Sequence, residues 1–414
     1  MTENTIEITK ALLVSVDTND FDNERSLEEL KELSKTAGVE VEALLTQKRP
    51  AIDTATCIGD GKLSEVLPLI EETGINLAIF DHELTANQTR NIENILNIRV
   101  IDRTTLILDI FAQRALSKEG RIQVELAQQK YRLPRLAGRG IEMSRLGGGV
   151  GTRGPGETKL ETDKRHIRRR IEFLEAELKE LEKRRELHRK RRKKDGVLTA
   201  AIVGYTNVGK STLLNALTDA GVIAENKLFA TLDITSRSIE LPDGRSVLLV
   251  DTVGLISRLP HHLVEAFKST LEEAANADII LHISDISSDD AAEQAKVTKE
   301  LLSELGCDGI PVIDVLNKCD CLSEPECIKE NDTTVKISAK NREGFDSLLS
   351  CIAKNLPETA RRVKLLIPYD KSSLLNLIRE DGKIFSEEYI ENGTLIDALV
   401  DIKIFYKVED YICE

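Results

Sequence analysis

The stretch Gly204-Tyr-Thr-Asn-Val-Gly-Lys-Ser211 matches the pattern G-x-x-x-x-G-K-[ST] of phosphate-binding loops. The apolar run 198–203 before it predicts a buried strand, and the run 212–217 after it predicts a helix. The glycines let successive backbone N–H groups point at one anion, and the helix adds the positive end of its dipole. Lys210 would add a full charge, and Ser211 would offer a hydroxyl to Mg²⁺. The stretch therefore predicts a nucleotide-binding α/β domain.

Four further motifs follow in the order that is typical of a guanine-nucleotide-binding domain. They are Phe229-Ala-Thr-Leu-Asp233 in a polar loop, Asp251-Thr-Val-Gly254, Asn317-Lys-Cys-Asp320 and Ser338-Ala-Lys340. The last three each follow a predicted strand, and open α/β sheets bind ligands at the carboxyl ends of their strands. Together with the phosphate-binding loop, these motifs predict a GTP site.

The chemistry of hydrolysis assigns a role to several of these residues. Thr231 follows Ser211 by twenty residues, the right distance for a loop threonine that closes on Mg²⁺ and the γ-phosphate, with Thr235 as the alternative. Asp251 would reach the metal, and the N–H of Gly254 would bond the γ-phosphate. The predicted metal ligands are therefore Ser211, Thr231 and Asp251, and the predicted catalytic residues are Lys210, Thr231 and Gly254.

The choice of base follows from Asp320. Its carboxylate can accept two hydrogen bonds, from the ring N–H and the exocyclic amine of guanine, whereas adenine would leave it unpaired. Ala339 would donate its backbone N–H to the guanine oxygen, and Lys318 would lie against the ring. The residues predicted to bind nucleotide are Gly204, Tyr205, Thr206, Asn207, Val208, Gly209, Lys210, Ser211, Thr212, Phe229, Ala230, Thr231, Leu232, Asp233, Asp251, Thr252, Val253, Gly254, Asn317, Lys318, Cys319, Asp320, Ser338, Ala339 and Lys340.

Leu255 occupies the position at which small signalling GTPases carry a glutamine that orients the attacking water. A leucine cannot orient water. We therefore expect hydrolysis to be slow in the isolated protein and to be stimulated by a partner or by another part of the chain.

The remainder of the 414 residues predicts three more segments around a GTPase domain at 196–356. Residues 1–105 alternate apolar runs with helical patterns, which predicts a small parallel sheet with covering helices, one of them over 62–73. Residues 106–195 predict a helical hairpin with a glycine-rich loop at its tip. Residues 357–414 predict a small α+β domain with a strand over 395–406. The fold class is α/β, with a mostly parallel sheet in the GTPase domain.

Positive charge is concentrated in the predicted hairpin. Residues 121–194 hold about 23 lysines and arginines against about 11 acidic residues, in a chain whose formal net charge is −14. A charge run is often only the solvated face of a helix, but this excess adjoins a glycine-rich loop that carries Arg139, Arg145 and Arg153. We expect contacts with RNA or DNA phosphates, and the low aromatic content argues against base stacking as the main mode.

Other classes of protein fit the sequence less well. No apolar run approaches the length of a membrane span, and the acidic N-terminus lacks the apolar core of a signal peptide. The seven scattered cysteines indicate reduced thiols. Cys319, Cys321 and Cys327 lie close together, but they lack the spacing of a metal site. We expect a cytoplasmic monomer without a membrane anchor.

Several further stretches resemble the HflX family of translational GTPases. The most specific is 154–163, because GTPases at large do not share a glycine loop followed by Pro-Gly-Glu-Thr. The others are Asp102-Arg-Thr-Thr-Leu-Ile-Leu-Asp-Ile-Phe-Ala-Gln-Arg114, Gln123-Val-Glu-Leu-Ala-Gln-Gln-Lys-Tyr131, Asp251-Thr-Val-Gly-Leu-Ile256 and Leu259-Pro-His-His-Leu-Val-Glu-Ala-Phe-Lys-Ser-Thr270. The likeness runs from the N-terminal sheet through the GTPase domain, and the C-terminal segment is similar to the family's extra domain.

The resemblance implies a GTP-bound form that binds the large ribosomal subunit and ribosomal RNA through the helical hairpin. It also implies that stalled or idle ribosomes are split under stress and that the large subunit stimulates hydrolysis. The residue that follows the D-x-x-G motif is hydrophobic in the family, as Leu255 is here. The alternative is a GTP-timed chaperone of ribosomal RNA or of large-subunit maturation or storage. Nothing in the residues supports or excludes a second, ATP-binding site.

Overall fold

The computed structural model describes residues 9–136, 155–194, 196–218, 229, 235–252, 254–258, 263, 272–322 and 330–413. These residues pack as two units. The first unit holds the described residues up to Arg184 together with Phe229, Arg258 and Leu263, and the second unit holds the others. Across the described ranges, no helix has both the length and the apolar character that crossing a membrane requires.

A four-stranded parallel sheet forms the centre of the first unit, as the alternation of strands and helices predicts. Its strands are β1 Lys10–Asp17, β2 Glu40–Lys48, β3 Leu77–Phe80 and β4 Arg99–Asp102, in the order β2-β1-β3-β4. The helices around it are α1 Asn23–Thr36, α2 Asp60–Glu65, α3 Leu67–Thr73, α4 Ala86–Leu96 and α5 Arg103–Arg114. Leu12, Val14, Phe80 and Ile92 belong to one apolar core on this sheet.

Local signals fix the ends of these helices. Thr85 and Gln88 form a reciprocal capping box at the start of α4, and Gly74 ends α3 in the left-handed conformation with φ +69°. The prediction of one helix over 62–73 is wrong, because α2 and α3 are separated at Val66. Pro68 accounts for the break, since proline has no N–H and its ring collides with the carbonyl group four residues earlier.

An antiparallel pair of helices follows, namely α6 Lys118–Arg135 and α7 Pro155–Lys194. The ion pairs Lys118–Glu177 at 3.0 Å and Arg170–Glu125 at 2.6 Å set the direction, because residue numbers rise along α6 as they fall along α7. α6 begins directly after Ser117, whose hydroxyl accepts the N–H of Gly120 and caps the helix.

Apolar side chains form the seam of this helical pair. Ile122, Leu126 and Leu174 make a buried cluster, with Ile171, Leu178 and Leu181 packed against it. The apolar residues Ile171, Leu174, Leu178 and Leu181 recur every three or four positions along α7 and face a partner helix, as heptad spacing should. The predicted tip loop, with Arg139, Arg145 and Arg153, lies outside the described residues.

A six-stranded sheet organises the second unit. Its strands are β5 Leu198–Gly204, β6 Thr235–Glu240, β7 Ser246–Asp251, β8 Ile279–Asp285, β9 Val312–Asn317 and β10 Thr334–Lys336. The order is β10-β9-β8-β5-β7-β6, and only β6 runs antiparallel to its neighbour. The associated helices are α8 Lys210–Thr218, α9 Ala291–Glu304 and α10 Phe345–Asn355. The mostly parallel sheet of the predicted GTPase domain is thus confirmed.

The C-terminal part of the second unit is a three-stranded antiparallel sheet in the order β11-β13-β12. Its elements are β11 Ala360–Ile367, α11 Ser372–Asp381, β12 Lys383–Ile390, β13 Gly393–Asp401 and α12 Ile402–Phe405. The prediction of a strand continuing to Tyr406 is wrong. Asp401 ends the strand, because its side chain accepts the N–H of Lys403 and caps the short helix α12.

The turn between β6 and β7 contacts two C-terminal elements of the same unit. Arg245 donates to the carbonyl oxygens of Ala353 at 2.5 Å and Pro357 at 2.7 Å, at the end of α10. Gly244 has φ +88°, and a Cβ there would lie 2.6 Å from the ring of Phe385 on β12. The turn therefore requires a glycine both for its backbone conformation and for this close approach.

We predict that Gly244→Ala destabilises the second unit more than Gly306→Ala does. Gly306 also has a positive φ, +77°, but no atom lies within 4 Å of the position that a Cβ would occupy there, so the matched variant carries only the backbone cost of about 1–2 kcal/mol. The urea midpoint of unfolding, followed by far-UV circular dichroism, is compared between the two variants. Adding Phe385→Leu should restore the stability of Gly244→Ala and should not restore that of Gly306→Ala. Equal midpoints for the two alanine variants would show that the Phe385 ring moves aside freely.

Candidate nucleotide-binding site

The phosphate-binding loop joins the end of β5 to the start of α8, as the sequence predicts. Two of its glycines are required sterically. A Cβ on Gly204 would lie 2.3 Å from the carbonyl oxygen of Ile283, and one on Gly209, at φ +98°, would lie 2.3 Å from Nδ2 of Asn317. Between them Asn207 adopts φ +64°, a conformation that asparagine tolerates better than most residues. These two close approaches leave no room for a side chain at either glycine.

Lys210 is buried in this loop. Its Nζ donates to the carbonyl oxygens of Gly204 at 3.1 Å and Tyr205 at 2.7 Å. Burial lowers the pKa of the ammonium group to about 8, although the negative charge of Asp251 acts in the opposite direction. A phosphate beside Nζ would restore the stability of the charged form, so the loop favours an anion electrostatically.

Ser211 and Asp251 are the described residues that fit a divalent cation. The Ser211 hydroxyl donates to Oδ2 of Asp251 at 3.1 Å, and Asp251 is fully buried at the end of β7. A hydroxyl and a carboxylate are hard oxygen ligands, which suit Mg²⁺ completed by phosphates and water. In the described ranges no group of three or more His, Cys, Asp or Glu residues is arranged for a metal, so a fully protein-ligated site is not seen there.

The segment after Asp251 pairs with the phosphate-binding loop. Thr206 donates its N–H to Leu255 at 2.7 Å, and Leu255 donates its N–H to Gly204 at 3.2 Å. Gly254 packs closely, because a Cβ there would lie 2.8 Å from Cγ2 of Thr206 and 3.1 Å from Nζ of Lys210. The residue that is predicted to bond a γ-phosphate therefore lies beside the lysine that is predicted to bind the same group.

The side chain of Leu255 lies in an apolar cluster of the second unit. It is 2% exposed and belongs to an apolar cluster with Ala201, Val203 and Ile280. This placement gives a structural reason for the sequence-based inference that Leu255 does not handle water.

Asn317 connects the three loops around the predicted base site. Its Nδ2 donates to the carbonyl oxygen of Val208 in the phosphate-binding loop at 2.7 Å, and its Oδ1 accepts the N–H of Ala339 at 2.9 Å. Asn317 is buried at the end of β9. The amide thus uses both of its functions within the protein and sets the spacing of the loops.

The predicted guanine-binding carboxylate is accessible and oriented. Oδ1 of Asp320 accepts the Ser338 hydroxyl at 2.7 Å, and this hydrogen bond holds the pKa of Asp320 below its ordinary value. Ser338 is fully buried, whereas Asp320 is exposed. The carboxylate is therefore ionised at neutral pH and can accept hydrogen bonds from a ligand.

One residue of this region was missed by the sequence analysis. Asp285, at the end of β8, accepts a hydrogen bond from Nζ of Lys318 at 2.6 Å. Lys318 has φ +65°, so the ion pair holds a residue in a strained backbone conformation. Asp285 ends the parallel strand β8, but it belongs to no motif, and the sequence analysis did not single out that strand.

The other predicted residues are placed as follows. Thr252 donates its hydroxyl to the carbonyl oxygen of Ile202 at 2.7 Å, Cys319 begins a 3-10 turn, and Lys340 is exposed. Phe229 packs in the first unit, against Phe111. Ala230, Thr231, Leu232, Asp233 and Val253 lie outside the described residues, so their predicted roles stay predictions.

Three family models match consecutive parts of the chain. They are described as GTP-binding GTPase N-terminal over residues 24–112, GTP-binding GTPase Middle Region over 114–192, and 50S ribosome-binding GTPase over 199–318. The GTPase HflX of Caldanaerobacter subterraneus subsp. tengcongensis is 52% identical over 97% of this chain and 94% of its own length. The chain belongs to the HflX GTPases. The resemblance found in the sequence is thereby confirmed.

Two further proteins are similar to this chain. The GTPase HflX of Lacrimispora saccharolytica is 48% identical over 97% of this chain and 96% of its own length. A GTP-binding protein from Sulfolobus solfataricus, solved in complex with GDP, is 26% identical, covers 84% of this chain and 98% of its own, and has a TM-score of 0.45. Membership of the family makes the chain a GTPase that binds GTP and GDP.

We predict that the affinity for GDP falls as the pH rises above about 8. Above this pH, Lys210 loses its proton in the free protein. A bound phosphate would raise the pKa of Lys210, so GDP binding at high pH must be accompanied by uptake of a proton. The measurement is the Kd of a fluorescent GDP from pH 7 to 9.5. Lys210→Met is the control, because any pH dependence that comes from guanine in GDP remains in this variant while the lysine is absent. Identical pH slopes in the two proteins would contradict this prediction.

We also predict that Leu255→Gln does not accelerate hydrolysis by the isolated protein. The new amide would enter the apolar cluster unpaired and cost about 1–3 kcal/mol of stability. Single-turnover GTP hydrolysis and the melting temperature report the two effects, with Leu255→Met as the matched apolar control. Faster hydrolysis in the glutamine variant would mean that this side chain turns toward the nucleotide.

Proposed function

We propose that this HflX GTPase binds GTP and Mg²⁺ at the loops described above and, as a cytoplasmic monomer, binds the large ribosomal subunit. In its GTP-bound form it splits stalled or idle ribosomes into subunits, and contact with the ribosome stimulates hydrolysis. The helical pair α6–α7 with its tip loop is the part that contacts ribosomal RNA.

The observation that carries the proposal is the charge on α7. This 40-residue helix holds 16 lysines and arginines against 9 acidic residues, in a protein whose total charge is strongly negative. Arg165, Arg168 and Arg169 are exposed on it, whereas Arg170 is held by both carboxylate oxygens of Glu125. An exposed row of arginines is suited to phosphate contacts, whose strength falls steeply with salt. The match to a 50S ribosome-binding GTPase model supports the ribosome as the source of those phosphates.

The described residues support a division of roles in the reaction. Lys210 would bind the β- and γ-phosphates, Gly254 would donate its N–H to the γ-phosphate, and Ser211 and Asp251 would hold Mg²⁺, with Thr231 as the further ligand that the sequence predicts. The metal supplies positive charge to the phosphate oxygens when it is bound. The carboxylate of Asp320 selects guanine.

The missing water-orienting group connects hydrolysis to binding. Because Leu255 is buried in the apolar core of the second unit, the attacking water receives no help from the residue after Gly254. We assign that help to the ribosome-bound state, which makes hydrolysis the step that ends binding. A GTP-timed chaperone of ribosomal RNA or of large-subunit maturation would share the same site, and it would differ in leaving intact ribosomes unsplit.

We predict that Asp320→Asn transfers the activity from GTP to xanthosine triphosphate. Xanthine carries a carbonyl where guanine has its exocyclic amine, and an asparagine amide can donate to that carbonyl. Each hydrogen bond lost to the carboxylate should weaken GTP binding roughly 10- to 100-fold. Intact ribosomes are sedimented through sucrose gradients with either protein and either triphosphate.

We expect the natural protein to split ribosomes with GTP and not with xanthosine triphosphate. The variant should split them with xanthosine triphosphate and not with GTP. Retention of GTP affinity in Asp320→Asn would contradict the guanine site. Nucleotide-dependent binding to free large subunits with no conversion of intact ribosomes would reject splitting and support the chaperone.

A further inference from the structure

The phosphate-binding loop contains a tyrosine whose side chain its sequence pattern does not specify. Tyr205 occupies the first variable position of G-x-x-x-x-G-K-[ST]. The residue is 8% exposed, so its ring and hydroxyl lie largely inside the second unit. A buried tyrosine hydroxyl usually has a hydrogen-bond partner, and the partner of this one lies in another loop of the same unit.

The hydroxyl of Tyr205 contacts the segment that follows the D-x-x-G motif. It accepts the backbone N–H of Ser257 at 2.6 Å. Ser257 lies three residues after Gly254 and 52 residues after Tyr205 along the chain, and all three residues belong to the second unit. The side chain therefore joins two segments of one unit that are distant in sequence.

Backbone hydrogen bonds join the same two segments. The N–H of Thr206 donates to the carbonyl oxygen of Leu255 at 2.7 Å, and the N–H of Leu255 donates to the carbonyl oxygen of Gly204 at 3.2 Å. Tyr205 and Leu255 are thereby paired in an isolated parallel bridge. The chain after Gly254 is thus attached to the phosphate-binding loop twice, at residue 255 through the backbone and at residue 257 through the tyrosine side chain.

Gly254 lies directly before these two attachments. A Cβ on Gly254 would lie 2.8 Å from Cγ2 of Thr206 and 3.1 Å from Nζ of Lys210, so the backbone of Gly254 is in close contact with the phosphate-binding loop. Because the chain on the carboxyl side of Gly254 is held by Leu255 and Ser257, the distance between Gly254 and Lys210 depends on both attachments.

The two attachments differ in what a substitution can remove. The bonds at Leu255 are made by backbone atoms, and the Leu255 side chain is also buried in an apolar cluster. The bond at Ser257 depends on one oxygen atom of a side chain. A neutral hydrogen bond that forms only when the segment lies in this position favours that position by roughly 3- to 10-fold.

The geometry points to Tyr205 as a positioning residue of the GTPase reaction, which holds the segment 254–257 against the phosphate-binding loop through the N–H of Ser257. The inference rests on the proposed assignment of the Gly254 N–H to the γ-phosphate. GTP has a γ-phosphate and benefits when Gly254 is held in place, whereas GDP does not. The Tyr205 hydroxyl therefore favours GTP over GDP through a contact inside the protein. By linkage, bound GTP strengthens the hydrogen bond between Tyr205 and Ser257.

The test compares affinities for fluorescent GDP and a fluorescent non-hydrolysable GTP analogue in the full chain. Tyr205→Phe removes the hydroxyl and keeps the ring. It should weaken binding of the analogue about 3- to 10-fold and leave GDP binding within about twofold. Retained GDP binding also shows that the phosphate-binding loop of the variant is folded.

Tyr369→Phe is the matched control in the second unit. The hydroxyl of Tyr369 also bonds a backbone group, the carbonyl oxygen of Ile390 at 2.8 Å, but Tyr369 lies between β11 and α11 and is 53% exposed. The same chemical change at this position should leave both affinities unaltered.

Hydrogen exchange measures the position of the segment independently of affinity. With GDP bound, the amides of residues 254–257 should exchange faster in Tyr205→Phe than in the natural protein and in Tyr369→Phe, because the N–H of Ser257 loses this acceptor. Mass spectrometry of the peptide that contains these residues gives the rates.

Three outcomes would overturn the inference, and each has a different meaning. Unchanged exchange in Tyr205→Phe would mean that the hydroxyl does not hold the segment. A parallel loss of GDP and analogue binding would mean that it supports the site as a whole. Faster exchange with unchanged affinity for the analogue would show that the segment is held by Tyr205 and would reject the assignment of Gly254 to the γ-phosphate. The assays contain no ribosomes, so a failure of ribosome splitting would leave these results untouched.

Discussion

The candidate site depends on the side-chain amide of Asn317. It bonds Val208 and Ala339 at the same time, so the loop that would hold the phosphates and the loop that would hold the base are spaced by one planar group. Gly209 exists for the same reason, because a Cβ there would overlap the amide nitrogen. Removing the amide would leave a buried carbonyl and a buried N–H unpaired, at about 1–3 kcal/mol each. The geometry of this amide therefore sets the spacing between the loop predicted to bind the phosphates and the loop predicted to bind the base.

Two residues of the candidate site have a strained backbone. Asn207 and Lys318 are among the described non-glycine residues with positive φ. The strain at Lys318 is opposed by its ion pair with Asp285. A strained residue that is held by one or two contacts can change conformation when those contacts change, which is a property expected of a switch. The strain is therefore consistent with a site that alternates between states.

The sequence predicted the structure correctly where the determining interactions lie between residues close together in the chain. The phosphate-binding loop follows from a short pattern, and the carboxyl-end rule for parallel sheets placed Asn317 correctly at the end of β9. The predictions were wrong where a single residue interrupted a periodic pattern of apolar residues. Pro68 divided an apparently continuous helix, and Asp401 ended a strand by capping the next turn.

Contacts between residues distant in sequence could not be predicted in this way. Nothing in the chain near Arg258 indicates that its partner is Asp81, 177 residues earlier, and Asp285 belongs to no motif. Such pairs are set by the tertiary fold, because an arginine in a loop has many possible acceptors and only packing selects among them. Prediction from sequence therefore reached the residues around the nucleotide more readily than the residues that hold them in place.

Leu255 shows why these supporting contacts matter for chemistry. A residue directly after Gly254 could either orient water or anchor the loop in the apolar core, and one side chain cannot do both. Here it lies in the core with Val203 and Ile280, and its backbone pairs with the phosphate-binding loop. This placement makes the backbone position of Gly254 depend on packing within the second unit. Under the proposed function, it leaves the activation of water to the ribosome-bound state.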